Sequence, residues 1–215
     1  MVKNFFRRCV IIGASPITDS DICYIKSKVT NEDFIICADG GANILEKLDM
    51  KPDLLVGDFD SCKPHINFNV ETIRLPVKKD DTDMMYSIKE GLKRGFKNFV
   101  ILCGTGGRLD HTIANLSSIY YLSKHGAKAV ISDRFCDIFV VYEDELVIKN
   151  KVGKTISVFQ YGEDKCILSY NGLEYELNKK ELKPDEPIGV SNVVISECAK
   201  ITVHNGSALI IVLNQ

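Results

Sequence analysis

Residues 98–132 read NFVILCGTGGRLDHTIANLSSIYYLSKHGAKAVIS, and this segment sets the fold class. Its pattern of apolar and polar residues predicts a strand over 99–103, a helix over 112–124 and a second strand over 129–132. Gly126 stands where the C′ glycine of a helix belongs. A strand, a helix and another strand in this order are typical of a parallel sheet with helices on its faces.

The same alternation of strands and helices runs through the first 145 residues. Apolar runs and helical periodicity predict four further strands and three further helices, the strands at 9–12, 34–37, 54–56 and 72–75 and the helices at 20–28, 42–48 and 83–94. We therefore predict an α/β fold, with an N-terminal three-layer parallel-sheet domain over residues 1–145 that carries the catalytic site.

The remainder of the chain has a different pattern, with short β-rich segments separated by turn residues. These predicted strands lie at 155–160, 166–170, 174–177, 193–197, 201–204 and 208–213. Asn-Gly pairs at 171–172 and 205–206 are the residues that two-residue hairpins favour. We predict a smaller all-β sandwich or barrel over residues 146–215, with an exposed loop at 179–187.

Composition narrows the classes of function. The 215 residues are 45% hydrophobic with a formal net charge of −2, so no overall field attracts nucleic acid or an anionic membrane. No apolar run approaches the ~20 residues that span a bilayer, and the first is too short for a signal sequence. The eight cysteines show no CxxC spacing. We expect reduced thiols and a cytoplasmic protein.

Polar clusters follow several of the predicted strands. In an open parallel sheet, ligands bind at the carboxyl ends of the strands, so these clusters are the candidate site. The four clusters are CADGGAN (37–43), VGDFDS (56–61), KKDDTDMMYS (78–87) and CGTGGRLDHT (103–112).

The first two clusters supply carboxylates. Asp39 precedes Gly40 and Gly41, which let the backbone approach a ligand closely, although a tight turn with an Asp N-cap explains them as well. Asp58 and Asp60 are two residues apart, so in extended backbone both carboxylates point the same way. A Mg²⁺ ion fits such a pair, while two solvated turn aspartates are the alternative.

The third cluster enters the predicted helix at 83–94. Asp80, Asp81 and Asp83 crowd the positive end of that helix. Capping, with Asp81 or Thr82 as N-cap, explains one or two of these carboxylates and does not readily explain three.

The fourth cluster has the residue types of a phosphate cradle. Gly104, Gly106 and Gly107 open backbone N–H groups toward an anion at a helix N-terminus, and Arg108 adds a bidentate donor. It lacks the GK[ST] of a P-loop and the final glycine of a dinucleotide fingerprint. His111 is more simply a hydrogen-bonding residue at a helix start than a base. Together the four clusters predict Mg²⁺–polyphosphate chemistry.

In order and spacing, ADGGAN, GDFDS, KDDTD and GGRLDH resemble the motif series of the thiamine pyrophosphokinase family, closely over 35–125 and more loosely to GVSN (189–192). The resemblance implies a homodimer that binds ATP and Mg²⁺ on the α/β domain and thiamine in a cleft between subunits. The pyrophosphoryl group of ATP would pass to the thiamine hydroxyethyl oxygen, and AMP would leave.

The resemblance also assigns roles to individual residues. It makes metal ligands of Asp58, Asp60 and Asp83. It assigns the nucleotide to Asp39, Gly40, Gly41, Asp80, Thr82, Gly104, Gly106, Gly107 and Arg108. It assigns thiamine to Asp110, Ser191 and Asn192.

The proton acceptor is left open between Asp83 and Asp110, both of which join Arg108 as predicted catalytic residues. Some family members place a tryptophan against thiamine, and this chain has none, so stacking must come from another side chain. Two other functions are considered. One is a haloacid-dehalogenase-type phosphatase using Asp58 as nucleophile, and the other is a non-catalytic thiamine or nucleotide sensor.

Overall fold

The computed structural model describes residues 8–60 and 68–214, and the chain divides into two compact units, Met1–Arg134 and Phe135–Gln215. This division comes earlier than the predicted boundary between 145 and 146, because a strand at Cys136–Tyr142 pairs along its length within the second unit. Ser61, the last residue of the VGDFDS cluster, and Cys62 lie outside the described residues.

The first unit is an open sheet with helices between its strands. Its elements are β1 Arg8–Ile12, α1 Asp19–Lys28, β2 Asp33–Ala38, α2 Gly41–Leu48, β3 Leu54–Gly57, β4 Glu71–Arg74, α3 Asp83–Lys93, β5 Asn98–Leu102, α4 Leu109–Lys124 and β6 Lys128–Ser132. All strand pairs are parallel, in the order β4-β3-β2-β1-β5-β6. The predicted α/β fold with a parallel sheet is confirmed.

Local sequence explains where these helices start and stop. Thr82 is the N-cap of α3, and its hydroxyl accepts a hydrogen bond from the Met85 amide at 3.2 Å. Gly95 and Gly126 follow the ends of α3 and α4 with φ of 91° and 68°, a conformation that glycine adopts without steric cost. The central strands β1 and β5 are almost wholly buried, as expected of strands covered on both faces.

The second unit is all-β and is organised around one long strand. Its strands are β7 Cys136–Tyr142, β8 Glu145–Lys149, β9 Thr155–Gln160, β10 Cys166–Asn171, β11 Leu177–Leu182, β12 Asn192–Val193 and β13 Cys198–Leu213. The first half of β13 pairs with β8 and β10, and its second half pairs with β7 and β9. One strand thus serves two sheets, which pack their inner faces into a single hydrophobic core.

Several sequence predictions for this unit are wrong. The pair Asn205–Gly206 does not turn a hairpin, because β13 continues through it and changes partners there, with Gly206 at φ 76° and an irregular register against β10. Of the predicted strands 174–177 and 193–197, only Leu177 and Val193 lie in strands, β11 and β12, while β11 runs into the predicted loop at 179–187. Strands β7 and β8 were not predicted at all.

Seven cysteines in the described ranges are not in disulfide bonds, and of these Cys9, Cys37, Cys103 and Cys166 are buried. Burial raises the pKa of Cys103 to about 12 and that of Cys166 to about 11. These buried thiols behave as small apolar side chains. Within the described ranges, 8–60 and 68–214, no helix is long and apolar enough to cross a membrane.

Candidate active site

A cavity of about 370 Å³ opens at the carboxyl ends of β1, β2 and β5 in the first unit. The chain runs outward from β1 through β2, β3 and β4 and then returns to the other side of β1 as β5. The strand order therefore reverses beside β1, which is where open α/β sheets bind ligands. The lining comes from the segments that follow these strands, from the first turn of α3 and from the first two turns of α4.

Asp39 stands at the end of β2 in a left-handed conformation, with φ of 40°. Its amide donates to the Val56 carbonyl at 2.8 Å, and its carboxylate accepts the Phe59 amide at 3.1 Å. The N-cap of α2 is Gly40, and no side chain caps that helix. The alternative of an Asp N-cap therefore does not describe Asp39, whose carboxylate faces the next strand end.

Gly41 allows α2 to begin against the end of β1. A Cβ atom at Gly41 would lie 2.4 Å from the Ile12 carbonyl oxygen, closer than real Cβ atoms approach. A Cβ atom at Gly57 would lie 2.9 Å from the Cα of Asp39. Both glycines are therefore required by close backbone packing, which brings the carboxylates after β2 and β3 together.

Asp39, Asp58 and Asp60 form a carboxylate cluster. One carboxylate oxygen from each lies within 4.8 Å of the others. The Asp60 amide donates to the Asp58 carboxylate at 3.2 Å, which orders the turn after β3. Three convergent carboxylates are the hard oxygen ligands that Mg²⁺ prefers, so the residues fit a divalent cation. Asp83, the third predicted ligand, is not one of the three clustered residues.

Lys79 joins the carboxylate cluster to α3. Its ammonium nitrogen lies 2.8 Å from Asp58 Oδ2 and 3.0 Å from Asp83 Oδ1. A hydrogen bond from Lys79 lowers the pKa of Asp58. Burial disfavours the charged lysine, but its bonds to the two carboxylates more than offset this, and the pKa of Lys79 is raised.

The other polar residues at the start of α3 are divided between the cavity and the surface. Thr82 and Asp83 line the cavity. Asp81, which precedes α3, forms an ion pair with Lys89 of that helix, and Asp80 is exposed and outside the cavity lining. Of Asp80, Asp81 and Asp83, only Asp83 thus lies in the cavity lining.

The glycine-rich loop after β5 forms another wall of the cavity. Gly106 and Gly107 line it with φ of 84° and 68°, and a Cβ atom at Gly107 would lie 2.9 Å from Pro16 Cδ. Gly104 is buried at the start of the loop, where its carbonyl accepts the amide of Asn115 at 2.7 Å. The loop is therefore anchored to α4 through Asn115, and its course requires glycine at 106 and 107.

Arg108 is the N-cap residue of α4 and lines the cavity. It forms a bidentate pair with Asp110, with distances of 3.1 Å from Nε and 2.5 Å from Nη2 to the two carboxylate oxygens. This hydrogen bonding by Arg108 lowers the pKa of Asp110 to about 2. Both side chains are largely exposed, and Asp110 lies outside the cavity lining.

Ser191 and Asn192, the predicted thiamine residues, lie in the second unit. Ser191 is exposed with φ of 60°. The buried Asn192 side chain accepts the Tyr175 amide at 3.0 Å and donates to the Tyr175 carbonyl at 2.7 Å. In this arrangement Asn192 holds the backbone of Tyr175, a residue that is 68% exposed.

Several residues of the site were given no role from the sequence. Lys79 belongs to the third polar cluster, but the sequence predicted roles only for the neighbouring carboxylates. Ligands bind at the carboxyl ends of strands in open parallel sheets, so the end of β1 predicts Ser15 and Pro16 as site residues, and both line the cavity. Asn115 has no local signal, because its importance depends on a carbonyl in the preceding loop. His111 also lines the cavity.

The fold and the site define the class, a transferase of the kinase type with an α/β domain followed by a β-rich domain. Two family models match the chain, "Thiamin pyrophosphokinase, catalytic domain" over residues 25–131 and "Thiamin pyrophosphokinase, vitamin B1 binding domain" over residues 144–210. The chain belongs to the thiamin pyrophosphokinase family. The predicted family and the predicted enzyme class, a thiamine diphosphotransferase, are confirmed.

Similar proteins agree with this assignment. Thiamin pyrophosphokinase 1 of Caenorhabditis elegans is 29% identical over 188 residues, covering 81% of this chain and 76% of that protein. Thiamine pyrophosphokinase 1 of Oryza sativa subsp. japonica is 24% identical over 197 residues, covering 78% and 74%. The fold matches the crystal structure of thiamine pyrophosphokinase from Bacillus subtilis with a TM-score of 0.86 at 22% identity, covering 97% of this chain and 99% of that chain.

Proposed function

We propose that this protein transfers the pyrophosphoryl group of ATP to the hydroxyethyl oxygen of thiamine, giving thiamine diphosphate and AMP, with Mg²⁺ as cofactor. The observation that carries the proposal is the position of Asp39. It belongs both to the carboxylate cluster and to the lining of a cavity whose far side holds Gly106, Gly107 and Arg108. Carboxylates beside a phosphate cradle are the arrangement that metal–nucleotide chemistry needs.

Asp39, Asp58 and Asp60 would hold the divalent cation. Their oxygens converge within 4.8 Å, a spacing suited to the ligation of one ion. When bound, Mg²⁺ supplies charge neutralisation and Lewis acidity for the polyphosphate. Asp83, which the sequence assigned to the metal, is linked to this set through Lys79.

Gly106, Gly107 and Arg108 would bind the phosphates. The start of the loop is anchored by the Asn115 hydrogen bond to Gly104, and Gly106 and Gly107 adopt positive φ that other residues rarely tolerate. Arg108 lies at the N-terminus of α4, where the helix dipole also favours an anion. Preorganised donors of this kind stabilise the charge that develops on a transferring group.

Of the two carboxylates considered as proton acceptor, Asp83 is the better supported. A carboxylate with a pKa of about 2, as Asp110 has beside Arg108, is a weak base at neutral pH. Asp83 lines the cavity and Asp110 does not. In this role Asp83 accepts the hydroxyl proton of thiamine, while Asp110 orients the guanidinium of Arg108.

Thiamine recognition is proposed for Ser191, Asn192 and Tyr175 of the second unit, in a homodimer whose active sites lie between subunits. The Asn192 side chain is hydrogen-bonded to both the amide and the carbonyl of Tyr175, so the backbone that carries the exposed ring is held in place. An aromatic side chain of this kind supplies the stacking surface that tryptophan would otherwise provide. Exposed apolar residues nearby in sequence, Ile188, Val190 and Ile195, would be covered in such a dimer.

The test is a coupled assay with ATP, Mg²⁺ and thiamine that measures AMP and thiamine diphosphate in the same samples. We expect the two products in equal amounts, with no AMP when thiamine is omitted. Asp39→Asn and Asp58→Asn should each require more Mg²⁺ for half-maximal rate than the wild type. The exposed Asp185→Asn of the second unit is the matched control and should leave the metal titration unchanged.

Other product patterns would favour other functions. Release of free phosphate from a monoester would favour the phosphatase with Asp58 as nucleophile, and binding of thiamine or ATP without turnover would favour a sensor. The dimer has its own test, in which inactive Asp83→Asn and Ser191→Ala/Asn192→Ala chains are mixed. Recovery of activity on mixing is expected if each site takes residues from two chains, and no recovery would contradict the shared site. The cytoplasmic location stays a prediction of the sequence.

A further inference from the structure

Lys79 is a buried cation in contact with carboxylates from two different elements. Its side chain is 8% exposed, and its ammonium reaches Asp58 after β3 and Asp83 at the start of α3. It lies in the segment between β4 and α3, so the two ion pairs tie that segment to the end of β3. A single ammonium therefore connects the carboxylate cluster to the first turn of the helix that lines the cavity.

The position of Lys79 is unfavourable unless the carboxylates compensate it. A cation just before the first turn of a helix lies at the positive end of the helix dipole, where negative charge is favoured. Burying the ammonium also costs hydration free energy. Lys89 shows the contrast, because its pair with Asp81 is between side chains that are 43% and 32% exposed, and such pairs contribute little.

The carboxylates of the cluster also repel one another, and a nearby cation reduces that repulsion. The cluster of Asp39, Asp58 and Asp60 brings three negative charges within a few ångströms, and Asp83 adds a fourth through Lys79. Carboxylates this close disfavour one another's ionised form unless a positive charge lies among them. Of the cluster, Asp58 is the member that Lys79 contacts, and it is almost as buried as the lysine.

We propose that Lys79 is a positioning residue of the active site, whose ammonium holds Asp58 and Asp83 together and keeps the carboxylate cluster assembled while no divalent cation is bound. This inference rests on the proposed metal site at Asp39, Asp58 and Asp60. It predicts that the charge of Lys79 matters most when the metal is absent, since a bound divalent cation compensates the same carboxylates.

The experiment compares thermal unfolding of the wild type, Lys79→Met and Lys89→Met in EDTA and in saturating Mg²⁺. Methionine keeps an unbranched apolar stem and removes the charge. We expect the Tm of Lys79→Met to fall by about 5 °C in EDTA and by less than half as much in Mg²⁺. Lys89→Met, the control on the exposed pair, should show a small change that is the same in both conditions.

Two further variants separate the charge from the packing of the side chain. Lys79→Arg keeps a cation and should recover most of the stability lost in EDTA. The double variant Lys79→Met/Asp83→Asn removes one of the two carboxylates, so in EDTA it should unfold at a higher temperature than Lys79→Met. If Lys79→Met alone does not fold, recovery of folding in the double variant supports the proposal and its failure overturns it.

The failures of the two proposals are distinguishable. If Mg²⁺ does not raise the Tm of the wild type, the proposed metal site fails and this inference fails with it. If Mg²⁺ stabilises the wild type but Lys79→Met loses the same stability in both conditions, Lys79 is merely structural and the inference alone is overturned. An unchanged Tm in EDTA would overturn it as well.

Discussion

The side-chain amide of Asn115 donates a 2.7 Å hydrogen bond to the carbonyl of Gly104, and both residues are buried. This bond joins the second turn of α4 to the loop that leads into Gly106 and Gly107. The loop therefore does not depend on its own residues alone for its shape. A buried carbonyl that loses its donor carries the full cost of its lost hydration.

Replacing Asn115 with alanine should disorder the phosphate-binding loop as well as destabilise the domain. We expect the free energy of unfolding to fall by about 1–3 kcal/mol and the KM for ATP to rise. Chemical denaturation and steady-state kinetics measure the two effects. The control is Ser118→Ala on the same helix, whose buried hydroxyl bonds to the Ala114 carbonyl and should affect stability alone. An unchanged KM in Asn115→Ala would show that the loop needs no anchor.

Arg108 and Asp83 should be needed for turnover. Loss of one electrostatic donor in a preorganised site lowers the rate by about 10²-fold, and we expect at least this for Arg108→Ala and for Asp83→Asn. Rates at saturating substrate measure the effect. Arg108→Lys keeps the charge without the bidentate geometry, so its rate should lie between that of Arg108→Ala and that of the wild type. Activity near that of the wild type in both variants would contradict the site assignment without affecting the family.

Tyr175 should determine the affinity for thiamine. Removal of an aromatic platform costs on the order of 1 kcal/mol, so we expect Tyr175→Ala to raise the KM for thiamine about fivefold while the KM for ATP stays the same. Tyr175→Trp should retain or improve the affinity, because it keeps the ring. Equal effects on both substrates would indicate a general loss of structure instead.

Tyr170 carries a buried hydroxyl with no hydrogen-bond partner within residues 8–60 and 68–214. Burial raises the pKa of this phenol, so the neutral form is the one that is packed. Since an unsatisfied buried hydroxyl is costly, Tyr170→Phe should leave stability unchanged or raise it by about 1 kcal/mol. Tyr24→Phe is the opposite control, because its hydroxyl bonds to Ser132 at 2.7 Å, and it should lose about 1 kcal/mol. A marked loss of stability in Tyr170→Phe would reveal a bound partner.

The pair of Arg8 and Asp33 should give the first unit a defined acid dependence. Burial disfavours the charged Asp33, but hydrogen bonds from Arg8 at 2.6 and 2.8 Å and from the Thr30 amide at 2.7 Å outweigh it, and its pKa is lowered. Its contribution to stability is thus fully present above the unfolded value of about 4 and is lost as the pH falls through the folded pKa.

Asp33→Asn is the variant that tests this acid dependence. It should lower the free energy of unfolding at neutral pH by about 2 kcal/mol and flatten its decline below about pH 4. Denaturation curves at a series of pH values measure both effects. The exposed Asp185→Asn serves as the control and should keep the slope of the wild type. If Asp33→Asn keeps that slope too, the acid dependence arises elsewhere.

The sequence by itself determined the parallel sheet and the four polar clusters, because both depend on local order. Strand periodicity, helix caps such as Thr82 and glycines such as Gly126 act within a few residues, and parallel connectivity then carries every strand end to one edge of the sheet. The position of the clusters at one edge of the sheet is therefore predictable from the sequence.

Contacts between distant residues were decided by the tertiary structure. Lys79 bridges Asp58 and Asp83, and Asp39 joins Asp58 and Asp60, through packing between strands that no local pattern records. Asn192 stays a predicted thiamine residue, and only the structure shows that its side chain bonds to the backbone of Tyr175. The Asn205–Gly206 pair predicted a hairpin turn, but β13 continues through it because the strand pairs with four other strands. In each case a partner far along the chain outweighs the local preference, since burial and hydrogen bonding are satisfied only in the folded unit.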